Sequence, residues 1–84
     1  MFWKDVSYIL GSKLSKKILE TLTEEKTPKQ ISKDTDIARS NVSTKLAGLL
    51  KRGLVKCLNP SDKKWRFYII SDRGKKVLKK VQSV

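Results

Sequence analysis

The stretch from Ile37 to Leu58 constrains the fold most, because it combines an amphipathic helix, a glycine stop and the start of a strand. From Val42 onward, apolar or small residues recur at i+4, i+7, i+8 and i+11, which is the spacing of one helix side with about 3.6 residues per turn. These inward positions are Val42, Leu46, Leu49, Leu50 and Gly53. The pattern predicts a core-packed helix over about residues 39–52.

The opposite side of this helix is small, hydrogen-bonding and cationic. It carries Ser40, Thr44, Ala47, Gly48 and Lys51, with Arg39, Asn41, Lys45 and Arg52 toward its edges. A solvated face usually mixes Glu with Lys, because opposite charges four residues apart support a helix. This carboxylate-free face instead suits a polyanion, and we expect Ala47 and Gly48 to let a partner approach the backbone closely. The plain alternative is a core helix with a polar back.

The positive charge is confined to one part of the chain. Residues 1–36 hold seven lysines and six carboxylates, whereas residues 37–84 hold thirteen Lys or Arg and only Asp62 and Asp72. The net charges are therefore +1 and +11, which together give the +12 of the whole chain. Such a field indicates an anionic partner, either nucleic acid or an anionic membrane surface.

Neither a membrane span nor a signal peptide is predicted. No apolar run approaches the roughly 18 residues that a spanning helix needs, and the N-terminus MFWKDVSYIL lacks the basic-then-apolar order of a secretory signal. The sequence contains no histidine and a single cysteine, Cys57, which excludes a Cys/His metal cluster and an internal disulfide. We therefore expect an intracellular, cytoplasmic protein without metal or cofactor.

Helix start signals recur before the central stretch. Ser12 can cap a helix over roughly residues 13–24. Thr27, with Pro28 at the first helical position and Gln30 completing a capping box, predicts a second helix over about residues 28–35.

A hairpin and a last helix follow the central stretch. Two strands are predicted over residues 54–58 and 65–70, with Lys63 and Lys64 at the tip of the turn between them. Ser71 then caps a last helix.

The two ends of the chain carry more apolar side chains than so small a core is expected to cover. We expect these residues to pair two copies across a twofold axis as a homodimer. They are Phe2, Trp3, Val6, Ile9, Leu10, Val77, Leu78 and Val81.

Three segments together resemble a known family. ISKDTDIARSNVSTKLAGLLKRGLV, the hairpin, and ISDRGKKVLKKV are similar to winged helix-turn-helix regulators of the MarR and ArsR type, most closely the small archaeal transcription regulators of that kind. The similarity covers about residues 9–81. Its most specific parts are Val42 and Ser43 with Leu46, the exit from Lys51 to Val55, and the run from Ser71 to Gly74.

The resemblance implies an α+β fold with a three-helix core, a two-stranded β-hairpin wing and flanking terminal helices that form a homodimer. It implies one winged-helix DNA-binding domain over residues 1–84, a recognition helix over about 39–52 in the major groove, and a wing over 59–66 on the adjacent backbone or minor groove. The chain departs from the family at Ala38, where such proteins often have a capping Ser, and in lacking the Cys/His set of the metal-sensing members.

Two groups of side chains are candidate DNA contacts. Helix residues able to pair with base edges or phosphates are Arg39, Ser40, Asn41, Ser43, Thr44, Lys45 and Lys51. Wing residues expected at phosphate or in the minor groove are Lys63, Lys64 and Arg66. Trp65, Phe67 and Tyr68 are expected to pack rather than to stack on bases, and the cations of the last helix either solvate its face or touch DNA.

The function predicted is a sequence-specific regulator of transcription that binds double-stranded DNA. The alternative is an architectural protein that binds DNA, or RNA, without sequence preference. A protein-only module fits the +11 half poorly, and a membrane-surface role lacks a bulky apolar face. Catalysis has little support, because there is no histidine, no glycine-rich phosphate loop and no carboxylate pair outside the acidic loops.

Overall fold

The computed structural model describes residues 2–83, which form five helices and a two-stranded sheet. The elements are α1 Phe2–Leu10, α2 Lys13–Thr21, α3 Pro28–Thr35, α4 Arg39–Lys51, β1 Val55–Cys57, β2 Tyr68–Ile70 and α5 Asp72–Gln82. The central helices α2 to α4 pack together, the hairpin follows α4, and α1 and α5 pack on each other. The predicted α+β architecture, with a three-helix core, a hairpin wing and flanking terminal helices, is confirmed.

The predicted caps Ser12, Thr27 and Ser71 begin three of the helices. The Ser12 hydroxyl accepts a hydrogen bond from the Ser15 N–H at the start of α2. Thr27 and Gln30 form the reciprocal capping box of α3, with Pro28 in its first turn. At α2 the structure differs from the prediction, because the helix ends at Thr21 instead of running to 24. The Leu22 carbonyl there accepts a hydrogen bond from the Ile70 N–H, so the chain turns toward the sheet.

The hairpin is antiparallel and shorter than its sequence pattern. Val55 pairs with Ile70 and Cys57 with Tyr68, and a further bond from the Leu58 N–H to the Phe67 carbonyl prolongs the ladder. The segment around Lys26 forms a bridge with Tyr68 through two hydrogen bonds of 2.8 and 3.0 Å. This bridge attaches the hairpin to the start of α3.

One hydrophobic core joins all five helices and the sheet. Val42, Leu46 and Leu49 of α4 point into it, as the spacing predicts. Leu50 does not, since 37% of its surface is exposed. It stands at the rim of the apolar side of the helix, where the core ends.

Five of the residues expected at a dimer interface belong to this core. Val6, Ile9, Val77, Leu78 and Val81 are each at most 7% exposed within one chain. The expectation that a single core cannot cover them is wrong, because α1 and α5 pack face to face and bury both apolar stripes. The exposed members of the predicted set are Phe2, Trp3 and Leu10.

Two glycines after α4 are required for different reasons. Gly53 has φ +74°, a left-handed conformation that an L side chain strains, and it turns the chain out of the helix. Gly74 lies in the first turn of α5, where a β-carbon would overlap the Leu54 carbonyl oxygen. The Ser71 N–H also donates to that oxygen, at 3.0 Å. Gly74 therefore allows the start of α5 to dock on the strand entry.

Candidate nucleic-acid interface

A groove of about 370 Å³ runs between the wing and the first turns of α3 and α4. We call it the wing groove. Its cations come from three elements and are Lys29, Arg39, Lys63, Lys64 and Arg66. None of the salt bridges within residues 2–83 involves them. No carboxylate lines the groove in the described chain, although that of Asp62 lies in the adjacent turn, so five cations face one carboxylate and the net positive charge is available to an anion.

Two side chains of the wing fix its backbone. One Asp62 carboxylate oxygen accepts hydrogen bonds from the N–H groups of Lys64, at 2.8 Å, and Trp65, at 2.9 Å. The Asn59 side chain accepts from the Phe67 N–H at 2.8 Å and donates to the Trp65 carbonyl. The N–H bonds from Trp65 and Lys64 hold the pKa of the Asp62 carboxyl below its ordinary value. The carboxylate therefore remains charged, and the wing is held in one shape.

Arg66 lies at the base of this turn. Its Nε–H donates to the Asp62 carbonyl at 2.8 Å, and its side chain lines the groove. A guanidinium has further N–H donors, so this contact still leaves Arg66 able to bind a phosphate.

The two flanks of α4 have different neighbours. Arg39 and Ser43, four residues apart, line the wing groove. On the other flank, Gly48 lies against Tyr8 of α1, and a β-carbon there would be 2.6 Å from the Tyr8 hydroxyl. The expectation that Gly48 leaves open backbone for a partner is therefore wrong, because α1 of the same chain covers it. Ala47 is exposed.

The outward row between these flanks is open to solvent. Ser40, Thr44 and Lys51 are exposed. The Thr44 hydroxyl donates to the Ser40 carbonyl at 3.0 Å, so in this rotamer it offers an acceptor rather than a donor to a base edge. Asn41, which is exposed, and Lys45, which is half-buried, lie on the flank away from the wing. The candidate residues of α4 thus face three directions: toward the wing groove, outward to solvent, and along the flank away from the wing.

The first turn of α4 also presents backbone donors. Ala38 is its cap residue, as the pattern predicts, and its methyl group cannot accept a hydrogen bond. The N–H groups at the start of a helix then remain for water or for an anion. Arg39 follows immediately and lines the wing groove, so charge and backbone donors converge at this end.

Two other cations of the basic half, Arg52 and Arg73, are paired with a buried carboxylate. Asp5 of α1 is 3% exposed. Its carboxylate accepts from Arg73 at 2.6 and 2.9 Å and lies 3.5 Å from Arg52. The Arg52 guanidinium also stacks 3.9 Å from the centre of the Tyr8 ring. Sequence reasoning missed Asp5, although a carboxylate inside the apolar stripe of α1 was a visible signal for a buried ion pair.

Trp65 contradicts the prediction that the wing aromatics only pack. Tyr68 is buried and Phe67 is half-buried, as expected, but 62% of Trp65 is exposed. Its side chain lines the wing groove together with the cations.

Two further features of the described residues bear on function. Residues 2–83 contain no group of three or more His, Cys, Asp or Glu side chains that could hold a metal ion. Within the same residues, every helix is too short or too polar to cross a membrane.

The central part of the chain matches a known protein family. Residues 16–56, from α2 through the helix-turn-helix to β1, match the family described as bacterial regulatory protein, arsR family. A search of curated proteins found no match.

Several solved structures are similar to the whole chain. One is the NMR structure of the homodimeric winged helix-turn-helix DNA-binding domain Mb0332 from Mycobacterium bovis, a possible ArsR-family regulator, with 21% identity, TM-score 0.78, and 98% of this chain and 76% of that one covered. The regulator Tm0710 from Thermotoga maritima has 22% identity, TM-score 0.75, and 99% and 63% coverage. The repressor MarR from Listeria monocytogenes has 18% identity, TM-score 0.75, and 95% and 55% coverage.

The lengths of these proteins differ from that of this chain. This chain spans about half, 54–55%, of the length of the MarR structures that it matches. Identities of 18–22% establish the fold, and the arsR match covers the segment that contains α3 and α4. The chain therefore has the winged helix-turn-helix fold, and its residues 16–56 match the arsR family.

Proposed function

We propose that the chain is a sequence-specific transcription regulator that binds double-stranded DNA. In this proposal the recognition helix, about residues 39–52, lies in the major groove and the wing, residues 59–66, lies on the backbone or in the minor groove. The observation that carries the proposal is the wing groove, where five cations from three elements converge with no lining carboxylate in the described chain. The arsR match and the winged helix fold support the same function.

Phosphate contacts and base contacts would come from different residues. The cations of the wing groove and the first turn of α4 would hold the DNA backbone and set the register. The polar residues Ser40, Asn41, Thr44 and Lys45 would read base edges, since amide, hydroxyl and ammonium groups match those donors and acceptors. Ser43 and Lys51 would contact phosphates at the two ends of the helix.

A homodimer is part of the proposal. Phe2, Trp3 and Leu10 leave 39%, 61% and 51% of their surface exposed on one short helix. A second copy packed on α1 would cover them, and two recognition helices would then face two half-sites of one operator. The similar Mycobacterium bovis domain is described as homodimeric. Sedimentation at micromolar concentration tests this part, and a monomer with full DNA affinity would contradict it.

A second candidate is an architectural protein that binds DNA, or RNA, without sequence preference. The bond from the Thr44 hydroxyl to the Ser40 carbonyl favours it, because that bond removes one donor from the outward row. In either role the protein would act in the cytoplasm on the nucleoid, as a binding protein without metal or cofactor.

Selection of bound sequences from a random duplex pool tests the proposal and supplies a preferred site. Asn41→Ala and Thr44→Ala should then each cost about 1–3 kcal/mol on that site and less on random DNA, because they remove base contacts. Lys64→Ala is the matched control and should weaken both DNAs about equally, since phosphates are the same everywhere. Equal losses on both DNAs for the two helix variants would favour the architectural protein.

A further inference from the structure

Trp65 stands at the wing with its indole in solvent and its backbone fixed. Its N–H donates to the Asp62 carboxylate at 2.9 Å, and its carbonyl accepts from the Asn59 amide. Yet 62% of its surface is exposed. An apolar ring held on a rigid turn loses little conformational freedom when a partner covers it, and such rings are efficient binding anchors.

The other tryptophan, Trp3, has a different environment. It is exposed to a similar degree, but its ring packs edge-on against Phe2 at 5.6 Å, and the Lys80 ammonium lies 5.2 Å from its centre. Among residues 2–83, Trp65 takes part in no comparable aromatic or cation–π pair. What distinguishes Trp65 is its neighbours in the wing groove, Lys63, Lys64 and Arg66.

The composition of the groove selects the partner. The cations of the groove attract a polyanion. The exposed indole ring among them would pack best against a flat apolar surface that lies next to the partner's negative charge. Nucleic acid carries both, because phosphates flank sugars and bases at a spacing of a few ångströms. In duplex DNA, apolar side chains that wedge between base steps and partly unstack them do so from the minor groove.

We propose that Trp65 packs its indole against a base step in the minor groove of the bound duplex and acts there as a wedge. This inference rests on the proposed DNA-binding function and adds a source of specificity to it. A wedge favours steps that unstack easily, such as TA and CA, so the wing selects sequence through deformability without hydrogen bonds to bases. The bound DNA is kinked at the wing.

The two tryptophans allow a direct optical test. In the Trp3→Phe variant Trp65 is the only indole, and in the Trp65→Phe variant Trp3 is the only one. The probe is a mixed-sequence DNA duplex of about 20 base pairs, two turns of helix. We expect this duplex to quench the Trp65 fluorescence and to shield it from acrylamide, while the Trp3 signal changes little.

The affinity for duplex DNA provides a second readout. Its salt dependence distinguishes the loss of an aromatic ring from the loss of a positive charge. Trp65→Ala should weaken duplex binding about tenfold, within the range for losing one aromatic–base contact. It should leave the slope of log K against log salt unchanged, because no charge is removed. Trp65→Phe should retain most of the affinity, since it keeps a ring. Circular dichroism checks that each variant is folded, and an exposed position makes that the expected result.

Three outcomes would overturn the inference, and they are distinguishable. Duplex binding with Trp65 unquenched and open to acrylamide, or with no loss in Trp65→Ala, would reject the wedge and leave the DNA-binding function standing. Tighter binding and stronger quenching by a single strand or by RNA would replace insertion in a duplex by stacking on unpaired bases. No binding of any duplex by the unmodified chain would reject the inference together with the proposed function.

Discussion

Two cationic regions of the molecule differ in how their charges are used. Where α1 meets α5 and the end of α4, Arg52 and Arg73 share the buried Asp5 carboxylate, and Lys80 lies over the Trp3 ring. In the wing groove, by contrast, five cations face solvent without a salt bridge among the described residues. The first region uses charge to fasten helices together, and the second leaves its charge for a ligand. Net charge alone does not show which cations are free to bind a ligand, whereas the position of the carboxylates does.

This difference has a consequence for mutations. Changes to the ion pairs of Asp5 with Arg52 and Arg73 should lower the free energy of unfolding and leave the intrinsic DNA affinity of the folded protein nearly intact. Changes in the wing groove should do the reverse, because the groove residues are exposed and contribute little to packing. The predictions below test this separation, beginning with the largest expected effect.

Gly74→Ala should destabilise the fold most. The new β-carbon would overlap the Leu54 carbonyl, which is backbone and cannot rotate away, so α5 must shift from the core. We expect a loss of about 3 kcal/mol in the free energy of unfolding, at the upper end for overpacking. Gly53→Ala is the control, because it introduces a strained φ but meets no atom within 4 Å, and should cost about 1 kcal/mol. Urea unfolding followed by circular dichroism measures both, and equal losses would contradict the docking role of Gly74.

Asp5→Ala should cause the next largest loss of stability. It leaves Arg73 and Arg52 without their shared carboxylate, but both arginines are partly exposed and can turn to water. The expected loss is therefore about 2 kcal/mol, less than for a fully buried pair. Asp72→Ala removes an exposed carboxylate from the first turn of α5 and should cost only about 0.5 kcal/mol. Urea unfolding measures both losses, and DNA binding is measured on the folded variants. A much lower DNA affinity of Asp5→Ala than of Asp72→Ala would contradict the separate roles of the two regions.

The parts of this molecule that sequence reasoning reached are those governed by local rules. The caps at Ser12, Thr27 and Ser71 depend on residues three apart, and the inward face of α4 depends on helical period. What it missed depends on contacts distant in the chain. Asp5 meets Arg73 across 68 positions, and the bridge at Lys26 forms only because the hairpin returns to it. The burial of the apolar stripes of α1 and α5 within one chain also depends on a contact between distant segments. For this reason the predicted dimer interface included residues that belong to the core.

The candidate site shows the same division. The turn residues of the wing and its cations could be read from the sequence, because turn chemistry and charge are local. The exposure of Trp65 could not, since Asn59 and Asp62 bind the Trp65 carbonyl and N–H, and the strand begins only at Tyr68. The cover that Tyr8 places on Gly48 was equally invisible, because it needs the packing of α1 on α4.

Asp62 allows a finer test of the wing groove. Asp62→Asn keeps a side-chain oxygen that can accept from the N–H groups of Lys64 and Trp65, whereas Asp62→Ala removes it. We expect Asp62→Ala to loosen the wing and to weaken duplex binding several-fold, with stability nearly unchanged. Asp62→Asn should keep the wing ordered, so its affinity should equal or exceed that of the unmodified chain, because a negative charge near the groove is gone. Amide hydrogen exchange at residues 64 and 65 reports the order of the wing, and indistinguishable exchange in the two variants would contradict this role.

The measurement that tests the central claim most directly is the salt dependence of duplex binding in two lysine variants. Lys64 lines the wing groove, and Lys79 is exposed on α5 outside it. Both substitutions to Ala remove one positive charge, so the net charge of the two variants is the same. If the groove is where DNA binds, Lys64→Ala should lower the slope of log K against log salt by about one, and Lys79→Ala should leave it unchanged. Equal slope changes in the two variants, or a change for Lys79→Ala alone, would contradict the assignment of the wing groove as the DNA-binding surface.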